Sequence, residues 1–355
     1  MVAIDLLVMT YPPHFHCLPG FFSSLKRTND RNVFLFSSQT NGEERKRLDD
    51  IICESAADVC VDVTTTANAI PLGLARNIVF KKGMREWAVF LDCDVKLGET
   101  YIADLERAIE TYGADADALG GGVGISEASR FGFFEGVMDL ITYWKYLQFT
   151  DREAYSALVS AVSLPPTLDE RGIAQFNVRL RELLKPLEGM SIHCLEGCNL
   201  IIKRDSFKEV GGFDRDFWSA EDRGLALKLV QNRKRILFAP SVWVNHNYSF
   251  GLLDIMRRKK IHGASYGEVR KKYPDVDKLY TVKPARWVKN FLKCFNPPHP
   301  FNGSVASRAY YAFGFASYAY AALASEYFGH NPLRTRRTGW AYAKDRVNAA
   351  KVQSS

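Results

Sequence analysis

The segment Trp87-Ala88-Val89-Phe90-Leu91-Asp92-Cys93-Asp94 decides which fold this sequence predicts. Its first five residues are apolar, a run too short for an ordinary helix and typical of a strand buried on both faces. Two acidic residues follow at once. Residues two positions apart in an extended chain face the same side, so Asp92 and Asp94 can point at one ligand. The segment therefore predicts a core strand that ends in a pair of carboxylates.

Apolar runs alternate with helical patterns on the N-terminal side of that segment. Strands are predicted over 4–9, 32–36 and 58–63, and helices over 18–26, 43–52 and 74–84. Strands separated by helices imply crossover connections, and hence an α/β fold with a mainly parallel, Rossmann-like central sheet flanked by helices. Ligands of such sheets bind beyond the carboxyl ends of the strands. Thr10, Tyr11 and Ser37 are expected at that edge, next to Asp92.

The pattern changes after residue 126. Residues 127–190 predict a helical insertion, with helices over 131–149 and 168–187. Strands return over 199–202 and 235–239, with a helix over 220–231 between them. Residues 256–355 are predicted to form a basic, mostly helical C-terminal extension. Within it the uncharged segment 309–325 is too short and too weakly apolar for a spanning helix, which favours an interfacial or packed one.

Composition and cysteine usage restrict the class of protein. The 355 residues are 47% apolar and 25% charged, as in folded globular proteins. Seven irregularly spaced cysteines argue against a disulfide framework and for a reducing compartment. Cys194 and Cys198 lack the second pair that a zinc site would need. The apolar run over 4–9 is too short for a signal peptide, so a cytoplasmic location is expected.

The positive charge is concentrated in the C-terminal third. The formal net charge is +7, and basic clusters occur at 257–260, 270–272, 283–293 and 334–337. Such clusters suggest a phosphate-rich partner: a nucleotide diphosphate, an anionic lipid or a nucleic acid. The alternative is a solvated basic face without a partner.

Three groups of residues are candidates for chemistry. Asp92 and Asp94 suit a hard divalent ion such as Mg²⁺ or Mn²⁺, whereas the second Asp-x-Asp, 115–117, follows no strand and is interpreted as coincidental. Glu221 and Asp222 begin a helical pattern, where acids stabilise the helix dipole or act as a general base. His246 follows a predicted strand and is either a metal ligand or an ordinary polar residue. Sequence order alone leaves these alternatives open.

An ordered set of motifs over residues 4 to 250 resembles the family 2 glycosyltransferases with the GT-A fold. The motifs are Leu7-Val8-Met9-Thr10-Tyr11, Gly73-Leu74-Ala75-Arg76-Asn77, Phe90-Leu91-Asp92-Cys93-Asp94, Gly197-Cys198-Asn199-Leu200, Gly211-Gly212-Phe213-Asp214 and Glu221-Asp222. The resemblance divides the chain into a nucleotide-sugar-binding half (1–126), the insertion (127–190), an acceptor-binding, catalytic half (191–255) and the extension (256–355).

The resemblance also implies roles for individual residues. Asp92 and Asp94 would serve the donor ribose and an Mn²⁺ or Mg²⁺ ion, with His246 as a further metal ligand. Asp222 would be the catalytic base. The remaining implied contacts are Thr10, Tyr11, Ser37 and Arg76 with the donor, and Glu221 and Trp218 with the acceptor.

The implied donor is a nucleotide-diphosphate sugar. A UDP-sugar is favoured, but GDP- and dTDP-sugars stay open, because Ser37 and Ser38 stand where the family has acids that read uracil. Arg223-Gly224 likewise replaces the usual acidic neighbour after Glu-Asp. The acceptor hydroxyl could belong to a saccharide, a lipid-linked molecule or a natural product.

The expected reaction is an inverting hexosyl transfer. A retaining enzyme is one alternative, since Phe217-Trp218-x-x-Glu221-Asp222 also resembles galactosyltransferase-type blocks. A nucleotidyltransferase is disfavoured because no glycine-rich, lysine-bearing loop follows the first strand. A non-catalytic protein that binds nucleic acid or membrane through its basic third is the remaining alternative. For the enzyme, no specific nucleic acid is expected, and peripheral contact with the inner face of the membrane would suit a lipid-linked acceptor.

Overall fold

The computed structural model describes residues 2–25, 32–56, 59–129, 132–137, 169–249 and 251–274, together with positions 153 and 316. Most of the helical prediction over 131–149 lies outside these residues. So do the uncharged segment 309–325, apart from position 316, and the basic clusters after residue 274.

Eight strands form one mixed sheet. They are β1 (Ile4–Thr10), β2 (Asn32–Ser37), β3 (Cys60–Thr65), β4 (Trp87–Asp92), β5 (Val95–Leu97), β6 (Ala118–Ala128), β7 (Asn199–Lys203) and β8 (Ile236–Tyr248). Their order is β3-β2-β1-β4-β7-β6-β8-β5. The first four strands are mutually parallel, β7 is antiparallel to β4 and β6, and β8 is parallel to β6. The α/β class is confirmed, and the four N-terminal strands form a continuous parallel part of the sheet.

Eight helices are described around this sheet. They are α1 (Leu18–Leu25), α2 (Gly42–Ser55), α3 (Leu72–Phe80), α4 (Tyr101–Tyr112), α5 (Glu170–Leu184), α6 (Arg204–Glu209), α7 (Glu221–Gln231) and α8 (Leu252–Lys272). The start of α2 follows from its sequence. The Asn41 side chain accepts hydrogen bonds from the backbone of Glu43 and Glu44, and the Glu44 carboxylate accepts one from the Asn41 backbone, a capping box. Two short 3₁₀ helices cover Pro12–Cys17 and Lys185–Leu187.

Strand β8 is longer and more continuous than its sequence pattern indicates. The sequence predicts a strand over 235–239 and a separate strand-like run over 241–244, but β8 is one strand that continues to Tyr248 because β6 pairs with it as far as Ala128, through two register irregularities. His246 therefore lies within a strand, whereas the sequence placed it after one. The strand is extended by its pairing with β6, and the hydrophobic pattern of the local sequence does not predict such pairing.

A buried ion pair fastens the N-terminal strand to the second half of the sheet. Asp5 is 1% exposed and is the second residue of β1, a strand that is apolar from Leu6 to Met9. Its Oδ2 lies 2.8 Å from Nη2 of Arg204 and accepts the backbone N–H of Arg85 at 2.9 Å. Since Arg204 begins α6, directly after β7, the pair joins segments that are 199 residues apart in sequence.

Replacing Asp5 with alanine is expected to lower the free energy of unfolding by about 3–5 kcal/mol, because the Arg204 guanidinium would stay buried without its partner. The matched control is Asp49→Ala, which breaks the exposed Arg45–Asp49 pair one turn apart on α2 and should cost about 0.5 kcal/mol or less. Urea unfolding measures both. Equal losses in the two variants would contradict the structural role of Asp5.

The basic helix α8 contacts the segment 132–137 and the segment that precedes α7. Near its start, Nζ of Lys259 lies 2.9 Å from Oε1 of the buried Glu135. At its end, Lys272 and Tyr273 both contact the carboxylate of Asp214 at 2.6 Å. Two of the basic residues of α8, Lys259 and Lys272, are therefore paired with acidic residues of the same protein. Over the described residues, no helix combines the length and the apolar character needed to cross a bilayer.

Candidate active site

The carboxyl ends of the parallel strands meet at one edge, as the sequence predicts. Thr10 on β1 is in register with Ser37 on β2, and its neighbour Met9 is in register with Asp92 on β4. The Ser37 hydroxyl is hydrogen-bonded to Oγ1 of Thr40 at 2.6 Å. Two of the proposed donor contacts, Thr10 and Ser37, are therefore side by side at the edge that carries the acidic pair.

Asp92, Asp94 and His246 form a compact cluster at this edge. One ligand atom from each lies within 4.8 Å of the others. Strand β4 ends at Asp92, and after the turn Val95 of β5 pairs with His246 of β8. That pairing brings Nε2 of His246 within 3.5 Å of Oδ1 of Asp94. The metal ligands suggested by the resemblance are thus brought together by sheet pairing.

The cluster has the chemistry of a site for a divalent cation. Two carboxylates and one imidazole are a mixed oxygen and nitrogen set that suits a transition ion such as Mn²⁺. Nδ1 of His246 is buried and has no hydrogen-bond partner among the described residues, which a buried polar atom rarely tolerates. The residues present therefore fit a metal ion.

Arg76 connects this cluster to the start of α7 and to the loop before β7. Its guanidinium, 1% exposed, lies 3.0 Å from Oδ1 of Asp92 and 3.2 Å from Oε1 of Glu221, and it donates to the Gly197 carbonyl at 2.7 Å. A Cβ at Gly197 would lie 2.7 Å from Nη2 of Arg76, so a side chain there would displace the guanidinium from this position. Although burial favours the neutral form, Glu221 and Asp92 raise the pKa of Arg76. Arg76 is thus a fixed positive charge between two acids.

Asp222 is held by backbone groups. Its Oδ2 accepts the N–H of Gly197 at 2.9 Å, and its Oδ1 accepts the N–H of Arg223 at 2.7 Å. Burial raises the pKa of Asp222, and the opposing charge of Arg76 lowers it less. A carboxylate offers about four lone-pair sites, so each oxygen keeps acceptor capacity for a hydroxyl.

Burial has the largest effect on the pKa of Asp92, Glu221 and Asp222, and it raises all three. It raises the pKa of Asp92 and raises that of Glu221 to about 8, against the lowering effect of Arg76. Asp94 is different: burial also acts to raise its pKa, but His246 and His14 lower it overall. One guanidinium compensates these carboxylates only in part, so a bound cation would stabilise their ionised forms.

His14 belongs to this site, although the sequence analysis did not select it. It lies on the 3₁₀ helix that follows β1, and its Nδ1 is 3.6 Å from Oδ2 of Asp94. Burial lowers the pKa of His14 to about 4. Pro12 and Pro13 could have indicated it, because they set a tight turn directly after β1 and so keep the next residue at the edge of the sheet.

The other predicted residues lie in different surroundings. Glu221 is buried against Arg76, and Trp218 is half-buried just before α7; their acceptor roles stay predictions. Asp117, from the second Asp-x-Asp, accepts hydrogen bonds from the Ser206 hydroxyl and the Arg235 backbone. Asp117 therefore joins α6 to the residue that precedes β8, which is a structural role outside the acidic cluster.

Comparisons with known proteins give local sequence similarity and a broader structural likeness. No family model matches the chain. A stretch of 76 residues is 29% identical to the pre-mycofactocin glycosyltransferase of two Mycobacterium tuberculosis strains, and it covers 21% of this chain and 16% of that relative.

Two solved structures are similar over most of the chain. One is the mannosyltransferase PcManGT from Pyrobaculum calidifontis in complex with GDP-Man and Mn²⁺, at 14% identity and a TM-score of 0.49, covering 100% of this chain and 81% of that one. The other is S. aureus TarS 1-349 in complex with UDP-GlcNAc, at 12% identity and a TM-score of 0.44, covering 91% of each chain. The relative with local sequence similarity is a glycosyltransferase, the class that the motifs of this chain resemble.

Proposed function

We propose that this protein is a metal-dependent, inverting glycosyltransferase that moves a sugar from a nucleotide-diphosphate donor to an acceptor hydroxyl. One observation carries the proposal: Asp92, Asp94 and His246 form a cluster that could hold a cation at the carboxyl edge of the sheet, and Arg76 joins that cluster to the start of α7, where Asp222 lies. The order of the motifs and the local similarity to a glycosyltransferase support it.

Each half of the site would hold one substrate. The donor nucleotide would lie over the ends of β1 and β2, near Thr10 and Ser37, with its diphosphate at Asp92 and Asp94. Asp92, Asp94 and His246 would hold a divalent ion there, which would neutralise charge on the diphosphate. Arg76, which already contacts Asp92, would keep that carboxylate oriented.

Asp222 would be the general base. It accepts the proton of the acceptor hydroxyl while that oxygen bonds to the anomeric carbon and the bond to the diphosphate breaks on the opposite face. Its two backbone hydrogen bonds fix the carboxylate, so little rearrangement is needed at the moment of transfer. The sugar would leave with inverted anomeric configuration. A retained configuration in the product, determined by NMR, would replace this mechanism with the retaining alternative.

The donor can be identified by ligand-induced stabilisation. A thermal-shift screen of UDP-, GDP-, dTDP- and CDP-sugars, each with and without Mn²⁺, should give one nucleotide that raises the melting temperature only when the metal is present, because a ligand of the native state stabilises it according to its concentration over its affinity. UDP-sugars are the first choice. No stabilisation by any donor, together with salt-sensitive binding to DNA or RNA, would instead favour the non-catalytic alternative.

The basic extension, residues 256–355, suggests where the acceptor is located. We propose peripheral contact with an anionic membrane surface on the cytoplasmic side, which would suit a lipid-linked acceptor. Each exposed basic residue near such a surface contributes about 1 kcal/mol. Pelleting with vesicles that contain phosphatidylserine measures the contact, and equal recovery with neutral vesicles would remove the proposal.

A further inference from the structure

Three side chains form a continuous line into the proposed metal site. The Tyr11 hydroxyl lies 2.8 Å from Nε2 of His14, and Nδ1 of the same ring faces Oδ2 of Asp94 at 3.6 Å. The Tyr11 and His14 rings are also in contact, with centroids 4.2 Å apart. On the other side of the carboxylate, His246 faces Oδ1. Asp94 is thus held between two imidazoles, and only His246 belongs to the compact cluster with Asp92.

The backbone fixes the position of His14. Its N–H donates to the Tyr11 carbonyl at 2.8 Å within the 3₁₀ turn, and its own carbonyl is 3.9 Å from the Cys93 thiol. The Cys93 N–H in turn donates to the Met9 carbonyl at 3.0 Å. The turn after β1 and the loop after β4 are therefore built against each other, which keeps the His14 ring beside Asp94.

The hydrogen-bond chemistry gives this line a direction. An ionised carboxylate only accepts hydrogen bonds, so the ring nitrogen that faces Asp94 is the one that carries a proton. Nε2 is then an acceptor, and the Tyr11 hydroxyl donates to it. The Tyr11 hydroxyl, which can donate or accept, thereby pairs with the tautomer that presents an N–H to Asp94. At 3.6 Å the contact is longer than a hydrogen bond and is electrostatic.

We propose that Tyr11 and His14 are positioning residues that orient Asp94 for metal binding, with His14 acting on the carboxylate and Tyr11 acting through His14. This inference rests on the proposed function, because it presupposes the metal site. It changes the role of Tyr11 from a direct donor contact to support of a metal ligand. Groups that orient metal ligands typically change metal affinity by about 10–100-fold when they are removed.

Two substitutions of His14 separate the proposed role from a general structural one. In His14→Asn the amide group branches from Cγ, so its nitrogen can take the place of Nδ1 and donate to Asp94, but it cannot reach Tyr11. In His14→Gln the amide extends one carbon further, towards Tyr11, and leaves Asp94 without a donor. Mn²⁺ affinity, measured by electron paramagnetic resonance without any donor sugar, should fall by about 10–100-fold in His14→Gln and clearly less in His14→Asn.

A double-mutant cycle tests the action of Tyr11. Tyr11→Phe keeps the ring and removes only the hydroxyl, so it should weaken Mn²⁺ binding in the wild-type background. It should have no further effect in His14→Gln, since the link to Asp94 is already broken there. Additive effects would overturn the line Tyr11–His14–Asp94. Circular dichroism of each variant shows whether it is folded, and if His14→Gln does not fold, Tyr11→Phe alone carries the test.

The outcomes distinguish this inference from the proposed function. If the wild type binds Mn²⁺ and both His14 variants bind it as tightly as the wild type does, the positioning role is wrong and the metal site stands. If the wild type binds no Mn²⁺, the metal assignment fails together with this inference. Electron spin-echo modulation that reveals two imidazole nitrogens on Mn²⁺ would make His14 a ligand and overturn its positioning role, whereas one nitrogen supports it.

Discussion

Replacing Asp94 with asparagine is expected to abolish both Mn²⁺ binding and sugar transfer. The substitution keeps the size of the side chain but removes the charge that faces His14 and His246. Loss of one group that stabilises developing charge typically lowers kcat by about 100- to 1,000-fold, and loss of the metal should reach at least the upper part of that range. Isothermal titration with MnCl₂ and initial rates of donor turnover measure the two effects.

The chain contains a matched control for this variant. Asp115 belongs to the second Asp-x-Asp and is exposed, so Asp115→Asn makes the same chemical change outside the proposed site. It should leave Mn²⁺ affinity and transfer unchanged. Full transfer by Asp94→Asn would refute the metal role of Asp94, and equal losses in both variants would refute the choice between the two motifs.

Replacing Asp222 with asparagine should reduce transfer by about 100- to 10,000-fold, the usual contribution of a general base. Mn²⁺ and donor binding should persist, because Asp222 is outside the metal cluster. The loss should therefore appear in kcat, with little change in the dissociation constant of the donor. An asparagine amide offers one oxygen, so it can satisfy only one of the Gly197 and Arg223 N–H groups at full strength. The melting temperature of Asp222→Asn must therefore be measured together with its rate, to show that the variant is folded.

Asp216→Asn is the control for the second variant, because Asp216 is exposed and lies only six positions before Asp222. Unchanged transfer is expected. The Asp94 and Asp222 variants should also differ from each other: one loses metal binding and rate together, and the other loses rate alone. If Asp222→Asn weakened Mn²⁺ binding as strongly as Asp94→Asn does, the assignment of Asp222 as a base would give way to a role in the metal site.

Local patterns accounted for the N-terminal half of the fold. The five apolar residues before Asp92 form β4, and the alternation of strands and helices correctly predicted the parallel sheet. The shared edge followed from that topology, because parallel strands bring their carboxyl ends together. This is why the sequence alone predicts Thr10, Ser37 and Asp92 at one edge, where the strand register places them.

The remaining features depend on contacts between distant parts of the chain. Arg76 reaches the carbonyl of Gly197 across 121 positions, and His246 reaches Asp94 only because β8 continues along β6 and pairs with β5. His14 has no periodic signal at all; its place beside Asp94 results from the packing of two turns. The sequence by itself determined the class of sheet and the acidic pair at its edge, since strand periodicity and crossover topology are local. The tertiary structure alone decided which side chains surround that pair, because close packing between segments far apart in sequence sets those distances.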